Sequence, residues 1–283
     1  MGHWSVLVLT GMLGAGSFAA GFIGALTGLG GGVVLIPMLT LGLGIDIHYA
    51  IGASLVSVIA TSSGAAAAYV REGFTNVRIA MLLEIATSLG AILGAYLAGW
   101  VNTMWIGVVF GIVLLHSAVV ALEPHPADTA PPEPSPAPAK GVLRLEGDYP
   151  GPAGPVPYRA HAVPAGFGLM AIAGVLSGLL GIGSGAVKVL AMDRVMKLPF
   201  KVSTTTSNFM IGVTAAASAG IYLGRGYIDP GLAMPVVLGV LAGALTGARL
   251  LARAPVLRLR LLFAFVIAGL GLEMIYNSLK GKL

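Results

Sequence analysis

Two glycine-rich breaks interrupt apolar stretches of this chain at corresponding places in its two halves. The first tip, residues 28–32, reads Gly-Leu-Gly-Gly-Gly, and the second tip, residues 181–185, reads Gly-Ile-Gly-Ser-Gly. Lipid offers no partners to exposed backbone amides, so such breaks persist only where protein, water or a solute supplies them. A helix that restarts after each break directs free N–H groups and partial positive charge at it. The tips therefore predict a binding site for a small anion, with these residues as candidates: Gly30, Gly31, Gly32, Gly183, Ser184 and Gly185.

Lys188 lies one helical turn beyond the second tip, in an otherwise apolar stretch. Ionisable residues at membrane depth are functional by default. Its counterpart in the first half is Leu35, so a duplication does not account for the charge. We favour contact with the solute or a structural ion pair. The alternative is that the long side chain reaches the cytosolic surface near Arg194.

Other polar side chains of the apolar segments are further candidates. Ser54, Ser207 and Asn208 could line a polar path to the tips, although such groups also bond to helix carbonyls or join neighbouring helices. Glu84 and Glu273 could carry a coupling proton, and each is also near enough to a segment end to reach water or a basic partner. Proton coupling is therefore a hypothesis that the sequence allows without requiring.

Several chemical functions find no support in the residues. The chain has no cysteine, which excludes disulfides and thiolate metal sites. It shows no cluster of His, Asp and Glu, no serine with a motif partner and no completed P-loop, so we expect neither an enzyme nor a bound metal or cofactor. Nucleic-acid binding is not expected either, because the basic residues form no clustered face.

The composition is that of a polytopic, all-α membrane protein. Hydrophobic residues make up 57% of the chain and charged residues 10%, and several apolar stretches approach the roughly 20 residues that span a bilayer. The predicted apolar segments cover residues 5–43, 49–70, 78–100, 104–122, 164–195, 203–223, 231–252 and 259–278.

The two sets of segments predict an internal repeat. An ungapped shift of about 153 positions superposes both tips, and it also aligns Ser54 with Ser207 and Tyr69 with Tyr222. The domains are then a first membrane repeat (1–122), a Pro-rich cytosolic linker (123–162) and a second membrane repeat (163–283). Each repeat consists of a glycine-broken helical hairpin and three transmembrane helices. Glycines spaced four apart, at 90 and 94 and at 243 and 247, indicate close helix contacts.

Basic residues favour an inverted arrangement of the two repeats. If each broken segment enters and returns as a hairpin, only Arg225, Lys280 and Lys282 fall outside. If each broken segment crosses once, the basic residues divide almost equally, against the usual cytoplasmic bias. Inverted hairpins would bring both tips together near the membrane midplane. The basic residues then assigned to the cytosol are Arg71, Arg78, Lys140, Arg144, Arg159, Arg194, Lys197, Lys201, Arg253, Arg258 and Arg260.

The polar insert between the repeats is rich in proline and cannot bury enough apolar surface to order itself. Its later part, residues 142–149, alternates in polarity and then turns, which suits a short β-hairpin on the cytosolic face. We favour a plain linker over this alternative.

The tip sequences resemble those of the TauE/SafE membrane transporters. The resemblance includes residues 28–37, their echo at 181–185 and the run 198–215, and it covers nearly the whole chain outside the insert. Ser184 replaces a glycine that is usual in that family, and Leu190 stands where the second repeat often has proline.

This resemblance implies a secondary transporter of small sulfur-containing anions, such as sulfite, sulfoacetate or related organosulfonates. Export across a prokaryotic inner membrane is the commonest direction it implies. The residues alone indicate only a small anion at two helix amino ends. An anion channel or an uptake permease for a related oxyanion is the alternative. The expected partners are the anion and the lipid bilayer, and the sequence leaves both a coupling proton and a homo-oligomer open.

Overall fold

A computed structural model describes residues 6–27, 31–71, 73–122, 145–151, 154–251 and 256–281. The described part of the chain is mostly helical. The helices of the first half are α1 (Val6–Thr27), α2 (Gly32–Pro37, continued as a π-helix over Met38–Gly42), α3 (Ile47–Arg71), α4 (Val77–Ala98) and α5 (Thr103–Leu122). Those of the second half are α6 (Val163–Leu180), α7 (Gly185–Leu190, continued as a π-helix over Ala191–Val195), α8 (Phe200–Gly224), α9 (Pro230–Leu251) and α10 (Val256–Leu279).

The two halves have the same order of elements with nearly the same spacing. Helices α2, α3 and α4 and the first π-helix map onto α7, α8, α9 and the second π-helix under one shift of about 153 residues. Turns correspond as well, because Gly73 and Gly226 adopt φ angles of 76° and 75°. A left-handed conformation of this kind favours glycine.

Three helices in the described part of the chain are long and apolar enough to cross a membrane, namely those within Val77–Ala98, Val163–Leu180 and Pro230–Gly247. Shorter apolar helices accompany them, including Gly32–Gly42. At about 1.5 Å per residue, that segment covers roughly half of a bilayer's hydrocarbon thickness. The structure is therefore that of a membrane protein with full-length and half-length helices.

Each half begins with a helical hairpin. In the first half, Gly31 lies beside Gly21 near the turn, and Met38 packs against Gly16 further down α1. In the second half, Met196 at the end of the returning arm packs against Gly166 near the start of α6. The chain therefore doubles back after each tip, as the distribution of basic residues predicts.

Each hairpin packs against a helix of the other half through glycine. Gly90 and Gly94 of α4 approach the carbonyl oxygens of Ala171 and Val175 of α6 so closely that no Cβ could be accommodated. Gly243 of α9 lies in the same way against α1. The predicted role of these glycines as helix contacts is confirmed, and the missing side chains bring the two backbones together.

Helices α3 and α8 cross the centre of the molecule in opposite directions. The start of α3 lies at the end of α8, where His48 stacks on Tyr227 with ring centroids 4.8 Å apart. Further along, the Ser62 side chain of α3 packs against Gly212 of α8. The two helices that correspond to each other in the halves are thus antiparallel.

The last part of the insert forms a β-hairpin, with β1 (Glu146–Gly151) antiparallel to β2 (Gly154–Arg159). A β-hairpin is therefore present in the later part of the insert, with its first strand beginning at Glu146 and its second strand beyond the predicted range. Its position on the cytosolic face stays a prediction. Tyr149 and Tyr158 are buried against a cluster that includes Ile79 and Met196. Burial raises the pKa of both phenols. The proline-rich run itself lies outside the described residues.

Asn76 connects this hairpin to the membrane helices. Its side-chain amide donates to the Tyr158 hydroxyl at 2.8 Å, and its Oδ1 accepts from the Ile79 amide at the start of α4. Its backbone N–H donates to Thr206 of α8 at 3.1 Å. One residue therefore caps a helix and joins the start of α4, the β-hairpin and α8.

Candidate functional site

Both predicted breaks are present. Helix α1 ends at Thr27 and α2 begins at Gly32, while α6 ends at Leu180 and α7 begins at Gly185. Gly30, one of the predicted site residues, lies outside the described residues together with positions 28 and 29. In the second tip Gly181, Gly183 and Ser184 all have left-handed backbone conformations, with φ of 67°, 72° and 46°. Successive left-handed residues cannot continue a right-handed helix, so the break at the second tip is sharp.

The two tips meet inside the protein. The Ser54 hydroxyl, on α3, donates to the Gly181 carbonyl oxygen at 2.9 Å and is fully buried. A Cβ placed on Gly32 would lie 2.6 Å from this same hydroxyl oxygen and 3.4 Å from the Gly181 carbonyl oxygen. Only glycine at position 32 therefore leaves room for Ser54 to join the tips. Sequence reasoning singled out Ser54, and its contact with the opposite tip is a result of the structure.

Ser207 holds the second tip from α8, because its hydroxyl donates to the Gly185 carbonyl oxygen at 3.2 Å. Its neighbour Asn208 is half-buried. The hydroxyls of Ser54 and Ser207, which correspond under the repeat shift, thus both bond to carbonyls of the second tip. The two serines position backbone, and Asn208 adds a polar surface beside them.

Ser184 is the serine of the second tip, and its hydroxyl is directed into the protein interior. Its Oγ is buried and makes no hydrogen bond within the described residues. A serine in the left-handed region is also strained relative to glycine. Leaving a buried hydroxyl unbonded costs about 1–3 kcal/mol, so this position combines two local costs that a glycine would avoid. Such a combination is typical of functional positions.

Apolar side chains cover both tips, and sequence reasoning missed them. Ile51 packs on Gly181, Ile211 on Gly183 and Gly185, and Val240 on Gly31. They come from α3, α8 and α9, in which aliphatic residues are too common to be informative. At the described tip residues, aliphatic side chains therefore lie directly against the backbone.

Lys188 does not reach the surface. Its side chain is fully buried, and Nζ donates to the Thr214 hydroxyl of α8 at 2.6 Å. The alternative that it extends to the cytosolic face near Arg194 is wrong. The preferred interpretation, a solute contact or a structural ion pair, requires a negative partner, which the next contact supplies.

Glu84 of α4 is that partner. The Thr214 hydroxyl is 2.7 Å from Glu84 Oε1, which also accepts from Ser88 at 2.8 Å. Two residues that the sequence identified for separate reasons, Lys188 and Glu84, are thus joined through Thr214. We call Lys188, Thr214 and Glu84 the buried triad. The other acidic candidate, Glu273, lies exposed on α10 and takes no part in it.

One carboxylate oxygen of the buried triad has no partner. Glu84 Oε2 is buried and makes no hydrogen bond within the described residues. Oε1 accepts two hydrogen bonds, so the carboxylate is solvated by protein on one side only. An ionised carboxylate is stable in such a place only with a nearby positive charge, which here is Lys188.

Comparison with known proteins identifies related chains along almost the full length. The model of a family described as "Sulfite exporter TauE/SafE" matches residues 13–274. The probable membrane transporter protein YunE of Bacillus subtilis (strain 168) is 27% identical, over 97% of this chain and 98% of that protein. YdhB of the same organism, also named as a probable membrane transporter, is 27% identical over 89% and 96%. A third such protein, MJ0441 of Methanocaldococcus jannaschii, is 22% identical over 96% and 98%. No solved structure matches the chain.

Proposed function

Because the chain belongs to the sulfite exporter TauE/SafE family, we propose that it is a secondary transporter which moves a small sulfur-containing anion across the prokaryotic inner membrane. Sulfite, sulfoacetate and related organosulfonates are the solutes considered. The anion binds between the two tips, and the two halves alternate in opening to either face. Export is the direction that the family description favours.

The inverted repeat rests on three observations. The helices correspond under one shift, the corresponding helices α3 and α8 are antiparallel, and each hairpin packs on the other half. The basic residues also divide between the two ends of the helices as this arrangement requires. Lys201 lies over Phe74 at the end that carries the β-hairpin, whereas Arg225 binds the carbonyls of Ala95 and Tyr96 at the opposite end. The end with the β-hairpin is therefore assigned to the cytosol.

The observation that carries the binding site is the contact between the tips at Ser54 and Gly181, beside the unpaired Ser184 hydroxyl. A small oxyanion accepts hydrogen bonds from several directions, and hydroxyl and backbone N–H groups at helix starts are suitable donors. Closure by Ile51, Ile211 and Val240 excludes water from an occupied site. Release then needs the halves to separate, as alternating access requires.

Transport by the purified protein in proteoliposomes tests this proposal. We expect vesicles loaded with unlabelled sulfite or sulfoacetate to take up the labelled solute by exchange, with sulfate and phosphate as competitors that reveal selectivity. A channel would instead conduct the anion without this stimulation by solute on the far side. Absence of both solute binding and exchange for the whole series would contradict the proposal.

The Ser184→Gly variant tests the site itself. Glycine suits the left-handed backbone, so the fold should be retained while the hydroxyl is lost. We expect the Kd for the transported anion to rise by roughly ten- to a hundredfold, since a hydrogen bond to a charged group contributes about 1.5–3 kcal/mol. Ser17→Ala is the matched control, because Ser17 is another buried serine without a hydrogen-bond partner among the described residues. Equal affinities of the two variants would remove Ser184 from the site.

A further inference from the structure

We infer that the buried triad of Lys188, Thr214 and Glu84 is the site at which a proton is coupled to the movement of the anion. This inference rests on the proposed transport function and names the coupling ion and the group that takes it up. The proton acceptor is Oε2 of Glu84, the carboxylate oxygen that has no hydrogen-bond partner in the described part of the chain.

Hydrogen-bond chemistry fixes the roles within the buried triad. The Lys188 ammonium only donates, so the Thr214 oxygen accepts from it and has its single hydrogen left to give. Glu84 Oε1, at 2.7 Å, and the Met210 carbonyl, at 3.0 Å, both lie within reach of that hydrogen. When Glu84 is ionised, the hydrogen bonds to Oε1, and the chain runs from ammonium through hydroxyl to carboxylate. When Oε2 is protonated, Oε1 is a weaker acceptor, and the Met210 carbonyl competes for the hydrogen.

The charges change in a way that links the proton to an anion. Uptake of one proton turns the Glu84 carboxylate into a neutral acid, and the only bond formed is the O–H at Oε2. The net charge of the buried triad then rises from zero to plus one as the arriving anion takes over from Glu84 in holding Lys188 as an ammonium. Helix α7, which carries Lys188, starts at the second tip. A positive charge uncompensated in a low dielectric attracts an anion to that tip, so proton and anion bind together. The direction of net movement is then set by the sum of the proton gradient and the anion gradient, and export occurs when the outward anion gradient is the larger.

Other charged groups do not account for this environment. Helix α6, which packs on α4, contains no ionisable residue. On α8, Lys201 lies over the Phe74 ring near the cytosolic end. On α4 itself, Arg78 is near the helix start, more than one turn before Glu84. Lys188 is thus the charged group that faces Glu84 from the elements described around it.

The duplicated framework supplies an internal comparison. Under the repeat shift, Lys188, Thr214 and Glu84 correspond to Leu35, Thr61 and Val237. Among the described residues, Thr61 bonds to carbonyls of its own helix, those of Ser57 and Val58. Apolar side chains occupy the two positions that correspond to Lys188 and Glu84. Packing alone therefore does not explain why the second of these equivalent sites carries two opposite charges, Lys188 and Glu84.

The test measures proton coupling separately from exchange. Vesicles containing the purified protein receive labelled sulfoacetate under an inward gradient of one pH unit, with the membrane potential held at zero. One proton per solute then corresponds to about tenfold accumulation, the ratio that one pH unit provides. We expect this accumulation for the unaltered protein and its loss in Glu84→Gln, with solute exchange still measurable. Glu273→Gln, a matched change at an exposed glutamate, should accumulate sulfoacetate as the unaltered protein does.

A second pair of variants distinguishes a loss of proton coupling from a loss of folding. Thr214→Val removes the hydroxyl that joins the two charges, and Thr61→Val makes the same change at the corresponding position of the other half. We expect the accumulation ratio to fall at least several-fold in the first and to stay unchanged in the second. Accumulation that is independent of the pH gradient in the unaltered protein, or retained in both Glu84→Gln and Thr214→Val, would overturn the inference. Absence of sulfoacetate exchange in the unaltered protein would instead refute the proposed function.

Discussion

The stability of the buried triad is best tested with a double-mutant cycle on Lys188 and Glu84. Lys188→Leu leaves the Glu84 carboxylate buried without a counter-charge, and Glu84→Val leaves the ammonium with only the Thr214 hydroxyl. Removal of one partner of a buried ion pair costs about 3–5 kcal/mol. For a chain of this size, a loss of 1 kcal/mol lowers the Tm by roughly 2–4 °C. Each single variant should therefore melt about 6–20 °C lower than the unaltered protein.

The double variant Lys188→Leu/Glu84→Val should recover most of this loss. It reproduces the side chains that the chain itself places at the equivalent positions, Leu35 and Val237. Thr214 can turn its hydrogen to the Met210 carbonyl at 3.0 Å, so its own buried hydroxyl keeps a partner. Replacement of a buried pair by apolar residues of similar volume is often neutral or stabilising. We expect a Tm within a few degrees of the unaltered protein, so the Tm losses of the two single variants should not add in the double variant.

Thermal unfolding of the purified proteins in one detergent, at one heating rate, gives the comparison. Unfolding of membrane proteins in detergent can be irreversible, so apparent midpoints are compared rather than equilibrium free energies. Additive losses, with the double variant as unstable as the sum of the single variants, would show that the two charges do not depend on each other. That outcome would remove the physical basis of the buried triad.

Three further predictions concern the packing, the β-hairpin and the ends of the helices. Gly178→Ala should destabilise the protein by about 1–3 kcal/mol in thermal unfolding, because a Cβ at this position meets the backbone of α4. Gly220→Ala is the control: a Cβ at position 220 meets no atom within 4 Å, so this variant should be neutral or slightly stabilising. Arg225→Lys should lower stability by about 1–2 kcal/mol in the same assay, since it loses the two-pronged bond to the α4 carbonyls while it keeps the charge. Burial raises the pKa of Tyr158, so above about pH 10 the phenol keeps its proton in the folded state and loses it in the unfolded state. Docking of the β-hairpin should therefore weaken as the pH rises above about 10. Tyr158→Phe should make protease cleavage of the hairpin less dependent on pH in that range, although the lost bond from Asn76 raises cleavage at neutral pH.

The features that follow from hydrophobicity and backbone chemistry could be predicted from the sequence. The segments predicted at 49–70 and 231–252 agree with α3 and α9 to within a few residues. Apolar length and the flanking turn residues suffice to place such helices. The two breaks were predictable for the same reason, because glycines at 181 and 183 take up left-handed conformations that other residues avoid.

Contacts between residues far apart in the chain could not be predicted in this way. Thr214 bonds to a lysine 26 positions away and to a glutamate 130 positions away, and nothing local distinguishes it from threonines that bond only to their own helix. The apolar cover of the tips was missed for a related reason, since Ile51 and Ile211 look like ordinary membrane-facing residues. Such partners are specified by how helices cross, which depends on the whole fold.

The placement of the buried triad between the halves bears on how such a transporter could move in both directions. Glu84 belongs to the first half, and Lys188 and Thr214 belong to the second, so a relative movement of the halves would stretch or break the chain of hydrogen bonds. A contact influences a conformational equilibrium only by the difference in its free energy between the two states. While Glu84 is ionised, separation from Lys188 would leave two buried charges unpaired, and the present conformation would be favoured. When Glu84 is protonated and an anion lies near Lys188, separation of the halves would cost less free energy. The halves could therefore change conformation when proton and anion are bound together, and they would resist this change when only one of them is bound.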